Sequence, residues 1–157
     1  MTPAVIAIKK AKISYQLHEY QHDPSSESYG EEAAMLLGLE ESRVFKTLLV
    51  AMEGDQKSLA VAVVPVARML NLKAMASVLK VKKVAMANAA AAERSTGYVL
   101  GGISPIGQKK ALPTVIDNTA IAFTTLFISG GRRGLEIEMS ASDLAELTSA
   151  TFSSISK

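Results

Sequence analysis

Gly101-Gly102-Ile103-Ser104-Pro105-Ile106-Gly107 is the stretch on which the reading of this chain turns. Three glycines, a serine and a proline in seven residues cannot continue the apolar run Tyr98-Val99-Leu100 before them. Glycine accepts positive φ and lets backbone approach another group closely, because it has no Cβ. Pro105 fixes its own φ and pushes Ser104 towards an extended conformation. The pattern therefore predicts a strand over 98–100 that ends in a thin-walled loop with several free backbone N–H groups. Such a loop can hold an oxyanion, a phosphate or a ligand carbonyl. A tight glycine-rich turn with no ligand is the other reading.

Outward from this loop, strands and helices alternate without a repeat or a linker. Upstream, Asn88 can cap an alanine-rich helix that Gly97 closes. Downstream, Thr114–Asp117 reads as a strand, as do Thr124–Ser129 and Leu135–Met139, joined as a hairpin through 130–134. Ser140 with Asp143 three residues on resembles a capping box, opening a last helix to about Thr148. Nearer the start, Thr2-Pro3 opens a short helix to about Ala11, and Tyr15–Tyr20 alternates as a half-buried strand. A polar loop over 22–28 precedes a helix from Tyr29 to Leu37 that Gly38 ends. Val44–Met52 and Ser58–Val64 are β-prone and flank a turn over 53–56. Asn71 opens a helical region from Leu72 to about Val78, with a second short segment from Val81 to Ala87. The tail from Ser149 carries weak signals. Intermixed hairpins and helices favour a mixed α/β sheet over a parallel doubly wound one.

The chain has 157 residues, 48% hydrophobic and 20% charged, which suits a single domain spanning 1–157. It contains no cysteine, so disulfides, thiolate metal sites and a cysteine nucleophile are excluded. A net charge of +2 is too mild to announce a nucleic-acid protein without a local patch. No stretch reads as an export signal or a membrane span, and the expectation is a cytoplasmic protein without membrane contact.

Several residues are able to carry chemistry. In Arg43-Val44-Phe45-Lys46-Thr47-Leu48-Leu49-Val50, alternation places Val44, Lys46, Leu48 and Val50 on one face of a strand. If that face is the core, Lys46 is a buried or cavity-lining ammonium that needs a carboxylate or a ligand. If the other face is the core, Lys46 is merely solvated. The turn Ser129-Gly130-Gly131-Arg132-Arg133-Gly134 offers a hydroxyl and two guanidinium groups suited to phosphate, or simply solvated arginines. His18 and His22 lack metal-ligand spacing and have no serine or cysteine elbow nearby, so no metal site and no catalytic triad is expected. Glu136 and Glu138 share one strand face, where paired acids are usually solvated. Lys109 and Lys110 add positive charge beside the glycine loop.

Taken together and in this order, the lysine strand, the run Gly101 to Lys110 and the Ser129-Gly130-Gly131 turn with Arg133-Gly134-Leu135-Glu136 resemble the YbaK/EbsC family. The resemblance is to its Cys-tRNA(Pro) deacylases, relatives of the editing domain of bacterial prolyl-tRNA synthetase. It covers essentially the whole chain, and it implies an α/β fold with a curved mixed β-sheet flanked by helices. It implies a pocket for the aminoacylated 3′ end of tRNA, with no cofactor, and removal of a wrongly attached amino acid. The family's lysine falls on Lys46 and its catalytic glycine backbone on Gly101. Its pocket residues fall on Tyr20, Thr47 and Ser129, with Gly102, Ser104, Pro105, Gly130 and Gly131 as further substrate contacts. Glu136, another implied substrate contact, stands where close relatives carry aspartate, and Arg132 where lysine is common. Prolyl-tRNA synthetase is an implied partner; the oligomeric state is left open. No protein nucleophile is evident, which suits attack by the substrate's own cysteine thiol. The alternatives are a water-dependent deacylase for another small amino acid such as alanine, and a non-catalytic RNA-binding or synthetase-associated module.

Overall fold

In the computed structural model, which describes residues 1–26 and 29–157, the chain builds two β-sheets with five helices against them. The central strands are β2 (Phe45–Met52) and β3 (Leu59–Pro65), an antiparallel hairpin. Every residue of β3 is buried. A run that is apolar throughout, without alternation, is what a strand covered on both faces requires. One face carries Leu59, Val61 and Val63 of β3 with Phe45, Leu49 and Ala51 of β2 into the main core. The other carries Ala60, Ala62, Val64 and Val50 against the helix Leu72–Leu79 and against Ile155.

Around this hairpin, with β4 (Val84–Met86) on its free edge, the five-stranded sheet has the order β4-β2-β3-β5-β8. Strand β5 (Thr114–Asp117) runs parallel to β3, and β8 (Thr151–Ser153) parallel to β5. A second, antiparallel sheet has β7 (Leu135–Met139) between β1 (Gln16–Glu19) and β6 (Leu126–Ser129). The two sheets meet at a bridge between Val44 and Phe127. The expected curved mixed sheet is thus present, divided in two along the open edge of β2.

The helices begin where their caps place them. Thr2 Oγ1 accepts from the Val5 N–H at 3.3 Å, opening α1 (Pro3–Lys10). Helix α2 spans Tyr29–Leu37. Asn71 accepts from Ala74 at 3.1 Å to open α3 (Leu72–Leu79), and Asn88 from Ala91 at 2.8 Å to open α4 (Ala89–Thr96). Ser140 accepts from Asp143 at 3.2 Å to open α5 (Ala141–Thr148). Each cap satisfies an N–H that has no partner within its helix.

Three expectations change. Tyr98–Leu100 is not a strand. Tyr98 is buried and its hydroxyl donates to the Ile106 carbonyl at 2.6 Å, stapling the glycine loop, while Val99 and Leu100 are exposed. The segment 81–87 supplies strand β4 (Val84–Met86), which pairs with Val50–Met52. The weakly patterned tail forms β8, and the Asp117 carboxylate accepts from the N–H groups of Ile155 and Ser156 at 3.0 Å each. The polar loop expected over 22–28 is described as far as Ser26; its last two residues lie outside the described residues. Among the described residues, no helix is long and apolar enough to cross a membrane.

Candidate active site

The site forms where the two sheets part. Strand β4 pairs with β2 only over Val50–Met52. Ala87 N–H donates to the Leu49 carbonyl at 2.9 Å, and Phe127 N–H to the Arg43 carbonyl at 3.0 Å. Between these anchors the edge of β2 is open. Alternation along a strand turns the N–H and C=O of Thr47 to the same side as the carbonyls of Arg43 and Leu49. The backbone of Thr47 therefore faces the gap.

A cavity of about 350 Å³ fills that gap. Lys46, Thr47, Tyr20, Gly101, Ser129 and Glu136 all line it, so six of the expected residues converge from four separate stretches of chain. Of the two faces left open for Lys46, the structure selects the cavity-lining one. Burial lowers the Lys46 pKa from its ordinary value, and the charge of Glu31 only partly opposes this. The Thr47 hydroxyl is buried and has no hydrogen-bond partner among the described residues.

Glu136 is the sharpest departure from expectation. It shares a strand face with Glu138 as the alternation requires, yet it is only 6% exposed rather than solvated. It makes no hydrogen bond or ion pair with any described residue, and burial pushes its carboxyl up to about 8. Tyr20 also lines the wall, and burial again raises its hydroxyl's pKa, offset in part by the Gly134 backbone.

The roof was not foreseen. Arg133 is not a solvated turn residue: its guanidinium lies 3.8 Å from the centre of the Tyr29 ring. Its Nη1 lies 3.0 Å from His22 Nε2, and because a guanidinium can only donate, that nitrogen accepts. The ring hydrogen then sits on Nδ1 and donates to Glu32 Oε1 at 2.6 Å. Glu32 is itself buried and takes the Asp23 N–H on its other oxygen at 3.0 Å. Burial pushes its carboxyl up, but the bonds from His22 and Asp23 outweigh that and hold it below the ordinary value. The roof rests on Gly101, whose φ is +91°. A Cβ there would meet Arg133 Nε at 2.6 Å and Tyr29 Cε2 at 2.8 Å.

The remaining expected contacts lie outside the cavity wall. Gly102, Ser104 and Pro105 are buried, so the loop is not thin-walled with free N–H groups. Gly102 N–H donates to Val99, and Ser104 Oγ accepts from Ile106 N–H at 3.2 Å. Gly130 and Gly131 serve close packing instead. A Cβ would strike the Leu135 side chain at the first and Thr2 and Tyr98 at the second. Only the Gly101 end of the loop reaches the cavity. Tyr29 and Glu31, in the first turn of α2, also line the cavity beside apolar residues such as Phe45, Val66 and Ile103, and their placement beside a polar loop was the one hint in the sequence. Among the described residues no three His, Cys, Asp or Glu side chains gather as a metal site would need.

Similarity to known proteins agrees with this geometry. A protein of Enterococcus faecalis, assigned as the Cys-tRNA(Pro)/Cys-tRNA(Cys) deacylase EbsC, is 35% identical over 98% of this chain and 92% of its own. The crystal structure of a hypothetical protein, APE2540, superposes with a TM-score of 0.87 at 28% identity, covering 99% of both chains. A protein assigned as a trans-editing enzyme for prolyl-tRNA synthetase shares the fold at a TM-score of 0.81 and 19% identity, covering 100% and 99%. The sequence pattern of the aminoacyl-tRNA editing domain matches residues 23–147. The chain belongs to the aminoacyl-tRNA editing domain family, the family that includes YbaK and EbsC.

Proposed function

We propose that this deacylase, acting as one domain, releases cysteine from mischarged tRNA(Pro), with the substrate's own thiol as the nucleophile. The observation that carries the reading is a cavity furnished for an ester but without an attacking group. Lys46 and Gly101 flank it, yet the chain has no cysteine. Both histidines are held by glutamates, His18 by Glu138 and His22 by Glu32. Ser129 and Thr47 present hydroxyls, and neither is bonded to a base. The enterococcal relative's name, with its cysteinyl substrates, supports the same choice of amino acid.

An aminoacyl ester is already activated, so orientation and stabilisation of the oxyanion supply most of the catalysis. The thiol sulfur attacks the carbonyl carbon, and the developing oxyanion turns towards the backbone N–H groups at Gly101 and Thr47. The ester C–O bond breaks, and the ribose oxygen leaves with the proton the thiol gave up. The product is a four-membered thiolactone that water opens to cysteine. Lys46 fixes the terminal ribose or phosphate, and Tyr20 and Ser129 complete the wall. The partner is aminoacylated tRNA, handed over after charging by prolyl-tRNA synthetase.

Cysteinyl-, seryl- and S-blocked cysteinyl-tRNA at matched concentration test this reading. Cysteinyl-tRNA should be cleaved much faster than the other two, and Lys46→Ala should lower its rate at least about tenfold. Equal rates for cysteine and serine would replace the thiol with an activated water.

A further inference from the structure

Three polar groups of the cavity wait for a partner that no described residue supplies. Glu136 is 6% exposed and unpaired among the described residues. The Thr47 hydroxyl is buried and unbonded, and the Thr47 carbonyl faces the open edge of β2. Burying such groups without partners is costly, so a fold that keeps them together keeps them for a ligand. All three can accept hydrogen bonds, and one is a carboxyl. Lys46 lines the same cavity and forms no ion pair with Glu136 among the described residues.

A ligand that satisfies this arrangement carries a cation with several N–H donors next to an oxygen-rich group. An aminoacyl ester does so: its α-ammonium has three donors and stands one carbon from the carbonyl. We propose that Glu136, together with Thr47, binds the free α-amino group of the aminoacyl ester, so that the enzyme selects esters bearing that group and discriminates against deaminated or N-blocked ones. The inference rests on the cavity being the aminoacyl-ester site. Burial favours the neutral acid of Glu136, and an arriving cation draws the carboxylate out of it. Lys46 remains free for the ribose and phosphate side.

Cysteinyl-tRNA and 3-mercaptopropionyl-tRNA, which keeps the thiol and the ester but lacks the amine, separate the roles. The wild-type enzyme should favour the cysteinyl ester by about tenfold or more in kcat/KM, mostly through KM, the scale of one charged hydrogen bond. In Glu136→Gln that preference should shrink by about the same factor. A wild-type preference near one overturns the proposal with no mutant needed. A preference unchanged in Glu136→Gln while both rates fall also overturns it, and makes Glu136 a general base or a structural residue. Wild-type enzyme that cleaves neither ester would be a different failure, that of the deacylase reading itself, and the proposal would fall with it.

Discussion

Glu136 and Glu138 stand two residues apart on one face of β7, and their surroundings could hardly differ more. Glu138 accepts from the Thr125 hydroxyl at 2.6 Å, pairs with His18 at 2.8 Å and lies 3.9 Å from Arg43. The Thr125 bond, with help from His18 and Arg43, holds its carboxyl below the ordinary value although burial pushes the other way. Glu136 has none of these partners and titrates near 8. One strand thus carries a carboxylate that ties β1 to the residue preceding β6 and a carboxyl kept available at a cavity. Shared residue type and shared face do not decide a role; the presence or absence of a partner does.

The contrast is open to a direct break through stability against pH. A group whose folded pKa is raised contributes stability that is present below its unfolded value and lost as pH climbs through the folded value. For Glu136 that window runs from 4.5 to about 8. Glu136→Gln should therefore be the more stable protein at pH 8, by on the order of 4 kcal/mol, with the gain vanishing near pH 4. Glu138 has the opposite sign, its contribution being present above 4.5 and lost as pH falls through its lowered folded value. Glu138→Gln should lose about 1–3 kcal/mol at pH 7, a deficit that closes in acid. Urea unfolding of both variants across pH 4 to 8 reads the two slopes, and slopes of one sign would erase the distinction.

The sequence made much of this visible and hid the rest for identifiable reasons. The apolar runs of β2 and β3 and the capped helices are local signals, and they fall where the pattern places them. Tyr98–Leu100 misled because three apolar residues before a glycine read as a strand, whereas Tyr98 is a staple into Ile106. Strand β8 had only a weak signal, since its partner β5 lies more than thirty residues away and parallel pairing leaves no hairpin turn. Within the site, alternation left Lys46 undecided between two faces, and only the parting of the sheets resolves it. The resemblance pointed to Tyr20, Thr47, Ser129 and Glu136, but nothing in the chain foretold that Glu136 is unpaired. The roof was illegible, because Arg133 reaches His22 across 111 residues of sequence.

The same contrast between held and unheld charge recurs on a smaller scale in the neighbours Arg133 and Arg132. Arg133 is stacked on Tyr29 and bonded to His22, so its loss should disturb the roof over Gly101. Arg133→Ala is expected to cost about 1 kcal/mol of stability and to raise KM severalfold, with kcat less affected. Thermal melting and steady-state deacylation together check this. A variant with unaltered KM would mean the roof does not shape the bound ester. Arg133 is consequently not the solvated arginine that the turn's sequence also allowed.

Arg132 supplies the other half of the comparison and the smallest effect. Its guanidinium is exposed, and the nearest carboxylate, Glu19, lies 3.8 Å away on an even more exposed side chain. A pair so open to solvent is worth little, so Arg132→Glu should leave the melting temperature nearly unchanged. The charge remains free for a phosphate, and Lys109 and Lys110 after the glycine loop are exposed as well. Each phosphate contact releases counterions, so affinity for tRNA should fall steeply with salt. Removing one contact should make the slope of log affinity against log salt shallower by about one, and weaken binding about threefold at low salt. Filter binding of tRNA from 50 to about 200 mM salt measures both quantities. Salt-independent binding, or an identical slope in the variant, would leave Arg132 an ordinary solvated residue. The division between these two arginines would then lie only in packing.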